Sequence, residues 1–261
     1  MGASSELAAR LRAAGCVYAE DEAEVLRSSA ASAAELESMI VRRVAGEPLE
    51  VVAGWAEFCG LRVVVEAGVF VPRARTAVLV EHGERFVTRG SVVVDLCCGT
   101  GAVGAVLHDR QPGIELHASD VDAVAVRCAR RNLEPIGAQV HEGDLFGALP
   151  HDLRERVDLL VVNAPYVPTD AIARMPPEAR DHEPRTALDG GADGVEIHRR
   201  VAKGASRWLS PHGRLIVETS RDQAALTSEA FERAGLRTSV VTSDDTEGTA
   251  VIGSRDPATD W

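Results

Sequence analysis

Four consecutive residues, Asn163-Ala164-Pro165-Tyr166, offer a side-chain amide, two backbone carbonyls and an aromatic face, with no strong base among them. Groups of this kind suit gripping a planar substrate that bears an NH2. The tetrapeptide ends an apolar run, Val157-Asp158-Leu159-Leu160-Val161-Val162. Bounded by a proline signal, that run reads as a buried strand of a parallel sheet. Open α/β sheets bind their ligands beyond the carboxyl ends of such strands.

A second constellation lies upstream. Val92-Val93-Val94-Asp95-Leu96 feeds the turn Cys97-Cys98-Gly99-Thr100-Gly101, and a helical stretch follows to Arg110. Glycines at 99 and 101 let backbone approach a ligand and tolerate positive φ. The ligand then meets the free N–H groups of the helix start. The next strand, Ile114 to Ser119, leads into Asp120-Val121. A carboxylate about 20 residues beyond a Gly turn commonly accepts hydrogen bonds from ribose hydroxyls. A dinucleotide site is one reading. However, Asp95-x-x-x-Gly99-x-Gly101 departs from G-x-G-x-x-G and looks like the first motif of S-adenosylmethionine (SAM) methyltransferases, whose ligand is a cationic sulfonium amino acid.

The elements that must position these residues alternate in type. Strands are predicted near 91–97, 114–119, 138–142, 157–162, 213–219, 237–243 and 249–253, with helices near 101–110, 122–134, 195–209 and 222–234. Such alternation indicates a doubly wound, mostly parallel α/β sheet, here of seven strands with a C-terminal antiparallel hairpin. Residues 1–48 carry helical apolar spacing, and Ser32 with Glu35 resembles a capping box. They form a small helical subdomain. Residues 49–72 read as short strands, Leu49 to Val52, Trp55 to Phe58, Leu61 to Val65 and Val69 to Val71, making a β-hairpin linker. The main domain spans 73–261. Within it, the stretch from Pro165 to Gly194 has poor periodicity and five prolines. Long loops of this sort are usually functional, so it is read as a lid facing the substrate.

Composition narrows the partners. The 261 residues include 28 Lys+Arg against 40 Asp+Glu, a net charge of -12, and Lys203 is the one lysine. Grasping a phosphate backbone needs clustered cations, which argues against nucleic acid. Cys16, Cys59, Cys97, Cys98 and Cys128 show no C-x-x-C pairing with a His partner, so no metal site is expected. Adjacent Cys97 and Cys98 read as small residues packed at the turn, in a reducing cytoplasm. No apolar run reaches the roughly 18 residues of a membrane span and no signal peptide is apparent, so a soluble protein is expected.

Several motifs in order resemble the HemK/PrmC family, which methylates glutamine in peptide-chain release factors. They are Gly46-Glu47-Pro48-Leu49, Gly54-x-x-Glu57-Phe58-x-Gly60-Leu61, Gly68-Val69-Phe70-Val71-Pro72-Arg73, the Asp95–Gly104 stretch and Asn163-x-Pro165-Tyr166. Glu183-Pro184-Arg185-x-Ala187-Leu188-x-Gly190-Gly191-x-Asp193-Gly194 and Pro211-x-Gly213-x-Leu215-x-x-Glu218 extend the match, which covers roughly residues 40–255. The resemblance implies a class I SAM-dependent methyltransferase fold. It implies SAM contacts from the Asp95 strand end and the turn Cys97, Cys98, Gly99, Thr100 and Gly101. Asp120 and Val121 fall at the ribose, Asp144 and Leu145 at the adenine, with Asn163 bordering both ligands. Asn163, Ala164, Pro165 and Tyr166 are then the catalytic grip on the glutamine amide. Pro72, Arg73, Glu183 and Pro184 belong to substrate or lid, and the N-terminal helices dock the protein substrate.

The sequence also departs from the family. Ala164 stands where Asn-Pro-Pro-Tyr is usual, Cys97 where a Gly is expected, Ala74-Arg75-Thr76-Ala77 where Pro-x-Thr-Glu is usual, and the N-terminal region is short. Ala164 keeps the carbonyl, and Pro165 still biases it to extended backbone.

An amide nitrogen is a poor nucleophile, so alignment and desolvation are the main tasks. Asn163 Oδ1 accepts one substrate N–H in this reading, the Ala164 carbonyl accepts the other, and Tyr166 packs on the amide plane. Alternatives remain for individual residues: Asp120 or Asp122 as helix cap, Arg73 as partner of a surface acid, His182 and Glu183 in a solvated loop, and Glu218 as structural. For the acceptor, the main alternative is an amino acid or guanidine of a biosynthetic pathway. Exocyclic amines of nucleic acids share the motif, but few aromatics (4%) and the acidic charge leave little for base flipping.

Overall fold

A computed structural model describes residues 3–255. Helices α1 (Ala3–Ala13), α2 (Ala19–Ser29), α3 (Ala33–Val44) and α4 (Leu49–Ala53) come first. They bury Leu11, Leu26, Met39, Ile40 and Val52 in a core of their own. Ser32 Oγ caps α3 by accepting the Glu35 N–H at 3.1 Å, while the Glu35 carboxylate reaches back to the Ala31 N–H at 2.7 Å. The box thus closes one residue earlier than the usual pattern.

The linker corrects the sequence expectation twice. Leu49 to Val52, expected as a strand, is the helix α4, opened after Pro48 and ended by Gly54 in the left-handed region (φ 81°). The antiparallel pair β1 (Trp55–Phe58) and β2 (Leu61–Val64) is present. Val69 to Val71, also expected as a strand, pairs with none, because the Val71 N–H is directed at the carboxylate of Glu183.

The main domain runs α5 (Ala77–Gly83), β3 (Val92–Leu96), α6 (Ala102–Arg110), β4 (Glu115–Asp120), α7 (Ala123–Leu133), β5 (Gln139–Glu142), β6 (Val157–Val162), α8 (Pro177–His182), α9 (Glu196–Ala205), β7 (Leu209–Thr219), α10 (Ala224–Arg233), β8 (Arg237–Thr242) and β9 (Thr249–Ser254). Its seven strands lie in the order β5-β4-β3-β6-β7-β9-β8. The first five are mutually parallel, and β9 is antiparallel to both neighbours, so the expected C-terminal hairpin is formed with its second strand inserted inside its first.

Alternate residues of the central strands face opposite layers. Val93, Leu159, Val161 and Ile216 pack with Leu79 and Leu107 on one side, and Val94, Leu160, Val162 and Leu215 with Val201 and Phe231 on the other. Both layers are needed to bury β3 and β6 completely, and each such buried aliphatic contributes roughly 1.5–3 kcal/mol. Chain order reverses between β3 and β6, and their register pairs Leu96 with Val162. Cys97 and Asn163 therefore leave the sheet side by side, at its topological switch point.

The stretch after Asn163 is not structureless. It holds helix α8, 3-10 turns at Ile172–Arg174 and Arg185–Ala187, and a parallel bridge between Val167 and Asp189. No helix among the described residues is long and apolar enough to cross a membrane.

Candidate active site

The carboxyl ends of β3, β4, β5 and β6 open into one cavity of about 1090 Å3. Its lining takes in every residue singled out above for cofactor, catalysis, substrate or lid, with one exception, Gly101. At φ 77° Gly101 packs inward, where a Cβ would sit 2.7 Å from Leu133. It permits the close approach of α6 to α7. Gly99, at φ 55°, has nothing within 4 Å of a would-be Cβ, so its backbone faces open space.

Carboxylates hold the turn in shape. Asp95 is buried beneath it, and its Oδ2 accepts the Gly104 N–H at 2.9 Å, seating α6 on β3. Burial pushes the Asp95 carboxyl up to about 7, against that hydrogen bond. Asp120 Oδ2 accepts the Gly99 N–H at 2.9 Å and Oδ1 the Asp122 N–H at 3.0 Å. The cap of α7 is Asp122, whose Oδ1 accepts the Val124 N–H at 2.7 Å. Asp120 is thus free of that duty. Burial pushes the thiols of Cys97 and Cys98 up, with Asp120 and Asp95 adding to it, so neither is a thiolate nucleophile. Cys97 (φ 60°) and Leu145 (φ 47°) hold left-handed backbone that non-glycine residues seldom adopt. Such strain concentrates at functional sites. Asp144, beside Leu145, receives Arg200 Nη2 from α9 at 2.6 Å.

Around Asn163 the bonds come from distant segments. Asn163 Nδ2 donates to Thr76 Oγ1 at 3.3 Å. Because the amide is planar, Oδ1 is turned away from Thr76. Tyr166 donates its hydroxyl to Glu218 Oε1 at 2.9 Å, and Arg75 Nε reaches the same oxygen at 3.3 Å. Burial and the Glu218 charge push the Tyr166 hydroxyl up, keeping it a neutral donor. Gln223 Nε2 donates to the carbonyls of Tyr166 (2.8 Å) and Asp193 (3.0 Å), fastening the tetrapeptide to the end of the lid. Gly190 and Gly194 permit that closeness, since a Cβ on either would lie 2.5 Å or less from its nearest neighbour.

The segment after Tyr166, expected to act as a lid, is tied at both ends of α8. Glu183, expected in a solvated loop, is buried, and Arg73 Nη2 donates to its Oε1 at 2.6 Å. Burial raises the Glu183 carboxyl, while Arg73 and the Val71 N–H pull it back. His182 does lie exposed. At the other end, Arg43 of α3 sits 3.6 Å from Glu178 while holding Glu22 at 2.7 Å. Sequence reading assigned no role to Thr76, Arg75, Gln223, Arg200 or Glu178, all close to the lining. Arg75 and Thr76 stand in the quoted motif that follows Arg73; the others carry no local signal.

Sheet order, the switch-point cavity and the Gly turn define a class I methyltransferase fold. A methyltransferase from Pyrococcus furiosus has the same fold, with a TM-score of 0.57 at 16% identity, covering 76% of this chain and 90% of that one. The family model for the methyltransferase small domain matches residues 60–178. The release factor glutamine methyltransferase of Geobacter sulfurreducens is 36% identical over 83% of this chain and 76% of its own length. The chain belongs to the release factor glutamine methyltransferase family. A Streptomyces pristinaespiralis relative described as a 4-amino-L-phenylalanine/4-methylamino-L-phenylalanine methyltransferase is 35% identical, over 74% of this chain and 68% of its own length.

Family membership implies SAM as methyl donor, and the lining fits it. The Gly99 backbone faces open space, and a carboxylate, Asp120, stands at the end of β4. No cluster of His, Cys, Asp and Glu among the described residues could hold a metal ion.

Proposed function

We propose that this chain methylates the side-chain amide nitrogen of a glutamine in a protein substrate of the peptide-chain release factor type, in the cytoplasm. The observation that carries the reading is the orientation of Asn163, which lines the cavity: its Nδ2 is occupied by Thr76, which leaves Oδ1 as the group able to accept from a substrate. A planar NH2 donates to that oxygen and to the Ala164 carbonyl beside it. The turn from Cys97 to Thr100, with Asp120, Val121, Asp144 and Leu145, holds SAM. When bound, SAM supplies an electrophilic methyl group on a sulfonium leaving group.

The chain's own residues orient the acceptor and exclude water. Asn163 and Ala164 hold the nitrogen by its hydrogens, leaving its lone pair directed along the open side. Tyr166, anchored on Glu218, walls the pocket. Pro72, Arg73, Glu183 and Pro184 close the lid over it, and desolvation strengthens every hydrogen bond inside. The four N-terminal helices dock the protein.

A second reading, methylation of an amino group on a small amino acid, is favoured by the relative described as a 4-amino-L-phenylalanine/4-methylamino-L-phenylalanine methyltransferase. One assay separates the two. The protein is incubated with methyl-labelled SAM and, in parallel, a release factor carrying a Gly-Gly-Gln loop, 4-amino-L-phenylalanine, free amino acids, RNA and DNA. Label on the loop glutamine is expected. Label confined to a free amino acid overturns the protein-substrate reading. Asn163→Ala is expected to lower turnover by about 100-fold or more, the scale of losing one positioned polar group, with SAM binding retained by calorimetry.

A further inference from the structure

A threonine hydroxyl can either donate or accept, so Thr76 by itself does not determine which way the Asn163 amide faces. Something must direct the Thr76 proton elsewhere. Glu218 is the neighbour able to do so. It ends β7 with its carboxylate buried, 1% exposed. Tyr166 and Arg75 both donate to Oε1, which therefore acts as an acceptor. Oε2 has no hydrogen-bond partner in the structure. Burial raises the Glu218 carboxyl, while Thr76, itself 3% exposed, together with Arg75 and Tyr166, pulls it back toward its charged form. Thr76 forms no hydrogen bond to the carboxylate it neighbours, and Oε2 remains an unmet buried acceptor. An unpaired carboxylate oxygen in a dry site is costly. It draws the hydroxyl hydrogen to itself and leaves the lone pairs of Oγ1 to face Asn163.

We propose that Glu218 and Thr76 are positioning residues that set the orientation of the Asn163 amide, presenting Oδ1 and not Nδ2 to the methyl acceptor. The same carboxylate fixes the Tyr166 hydroxyl, so one buried charge aligns both side chains of the tetrapeptide. The inference rests on the reading that Asn163 Oδ1 accepts an N–H of the acceptor.

Glu218→Gln makes the inversion specific. A glutamine keeps one oxygen for Tyr166 and Arg75 but turns an NH2 toward Thr76. Thr76 then accepts from residue 218 and donates to Asn163, so the amide flips and offers a donor where the acceptor nitrogen needs an acceptor. Thr76→Val keeps shape and removes the oxygen, leaving the amide without guidance.

The test uses the full chain, methyl-labelled SAM and a release factor with its Gly-Gly-Gln loop. Expected for Glu218→Gln and Thr76→Val is a fall in kcat of about 10-fold or more, with the Kd for SAM within about twofold and unchanged circular dichroism. Thr76→Ser, which restores the oxygen, is expected to recover most of the loss. The Glu218→Gln/Thr76→Val double variant should be no slower than the slower single one, since both act through one amide. Turnover of Thr76→Val close to that of the parent, or multiplied losses in the double variant, overturns the relay. A parent protein that leaves the loop glutamine unlabelled refutes the functional reading instead, and does so before any variant is compared. Should Thr76→Val fail to fold, the Glu218→Gln and Thr76→Ser pair carries the same comparison.

Discussion

Arg73 and Glu183 stand 110 residues apart in the chain and meet at 2.6 Å, the guanidinium partly exposed and the carboxylate buried. The bond joins the segment entering the main domain to the lid that leaves the Asn163 strand. Both residues line the cavity.

The two partners are not equivalent under substitution. Arg73→Leu leaves a buried carboxylate without its cation, whereas Glu183→Gln removes the charge along with the bond. We expect Arg73→Leu to destabilise by about 2 kcal/mol, the low side for a broken buried pair because Arg73 is part-exposed. Glu183→Gln should cost about 1 kcal/mol or less. Urea unfolding gives the order, and trypsin cleavage at Arg180 and Arg185 reports loosening of the lid. Equal losses in the two variants would contradict the assignment of the buried charge to Glu183.

Gly190 and Gly194 are needed for contact, not for flexibility. A Cβ at Gly194 would come within 2.0 Å of Gln223 Nε2 and 2.3 Å of the Tyr166 carbonyl oxygen. Gly194→Ala must therefore push the lid off the tetrapeptide. A loss of about 3 kcal/mol is expected, the upper range for overpacking, together with most of the methyl-transfer activity. Gly99→Ala is the contrast: its Cβ meets nothing, so stability should change by about 1 kcal/mol, the scale of a left-handed alanine, while SAM affinity falls. Comparable unfolding midpoints for the two variants would refute this distinction.

Stability against pH should expose two buried groups acting in opposite senses. Asp95 rises from 3.8 to about 7 in the fold, so its contribution is complete below pH 3.8 and is lost as pH rises through 7. His198, fully buried, with Nδ1 paired to Thr227 at 2.9 Å and Nε2 unpartnered, falls from 6.5 to about 4. Its contribution is present above pH 6.5 and is lost as pH falls through 4. Relative to the parent, Asp95→Asn should gain stability as pH rises from 4 to 7, and His198→Leu should gain it as pH falls over the same window. Each difference should be on the order of 3 kcal/mol. Urea midpoints from pH 4.5 to 7.5 measure both, and slopes of the same sign would reject the assignment.

Ala164 offers a test of the altered tetrapeptide. It is 1% exposed and precedes Pro165. Restoring a proline by Ala164→Pro should add about 0.4–1 kcal/mol by restricting the unfolded chain and leave the preferred acceptor unchanged, because the carbonyl remains. Competition between a Gly-Gly-Gln peptide and 4-amino-L-phenylalanine for labelled methyl checks it. A reversal of preference would make residue 164 a determinant of substrate.

Strand–helix alternation placed the parallel sheet correctly, since continuous apolar runs separated by helical spacing admit few other arrangements. The two motifs at Asp95–Gly104 and Asn163–Tyr166 marked the cavity side because their residues are local and ordered along single strand ends. Leu49 to Val52 misled, being a short apolar run whose helical state depends on packing against α1 to α3. Glu183 misled as well: a carboxylate next to prolines reads as solvated until Arg73 and the Val71 N–H are brought to it.

The sequence by itself determined the sheet, the glycine turn after β3 and the acceptor-type groups of Asn163 and Ala164, all set by residues close along the chain. Tertiary structure alone decided how those groups are oriented. The orientation of the Asn163 amide depends on Thr76, 87 residues earlier, and the anchoring of Tyr166 on Glu218, 52 residues later. No local periodicity encodes a hydrogen bond between segments that far apart. It arises only where folding excludes water and leaves a buried carboxylate to order its neighbours.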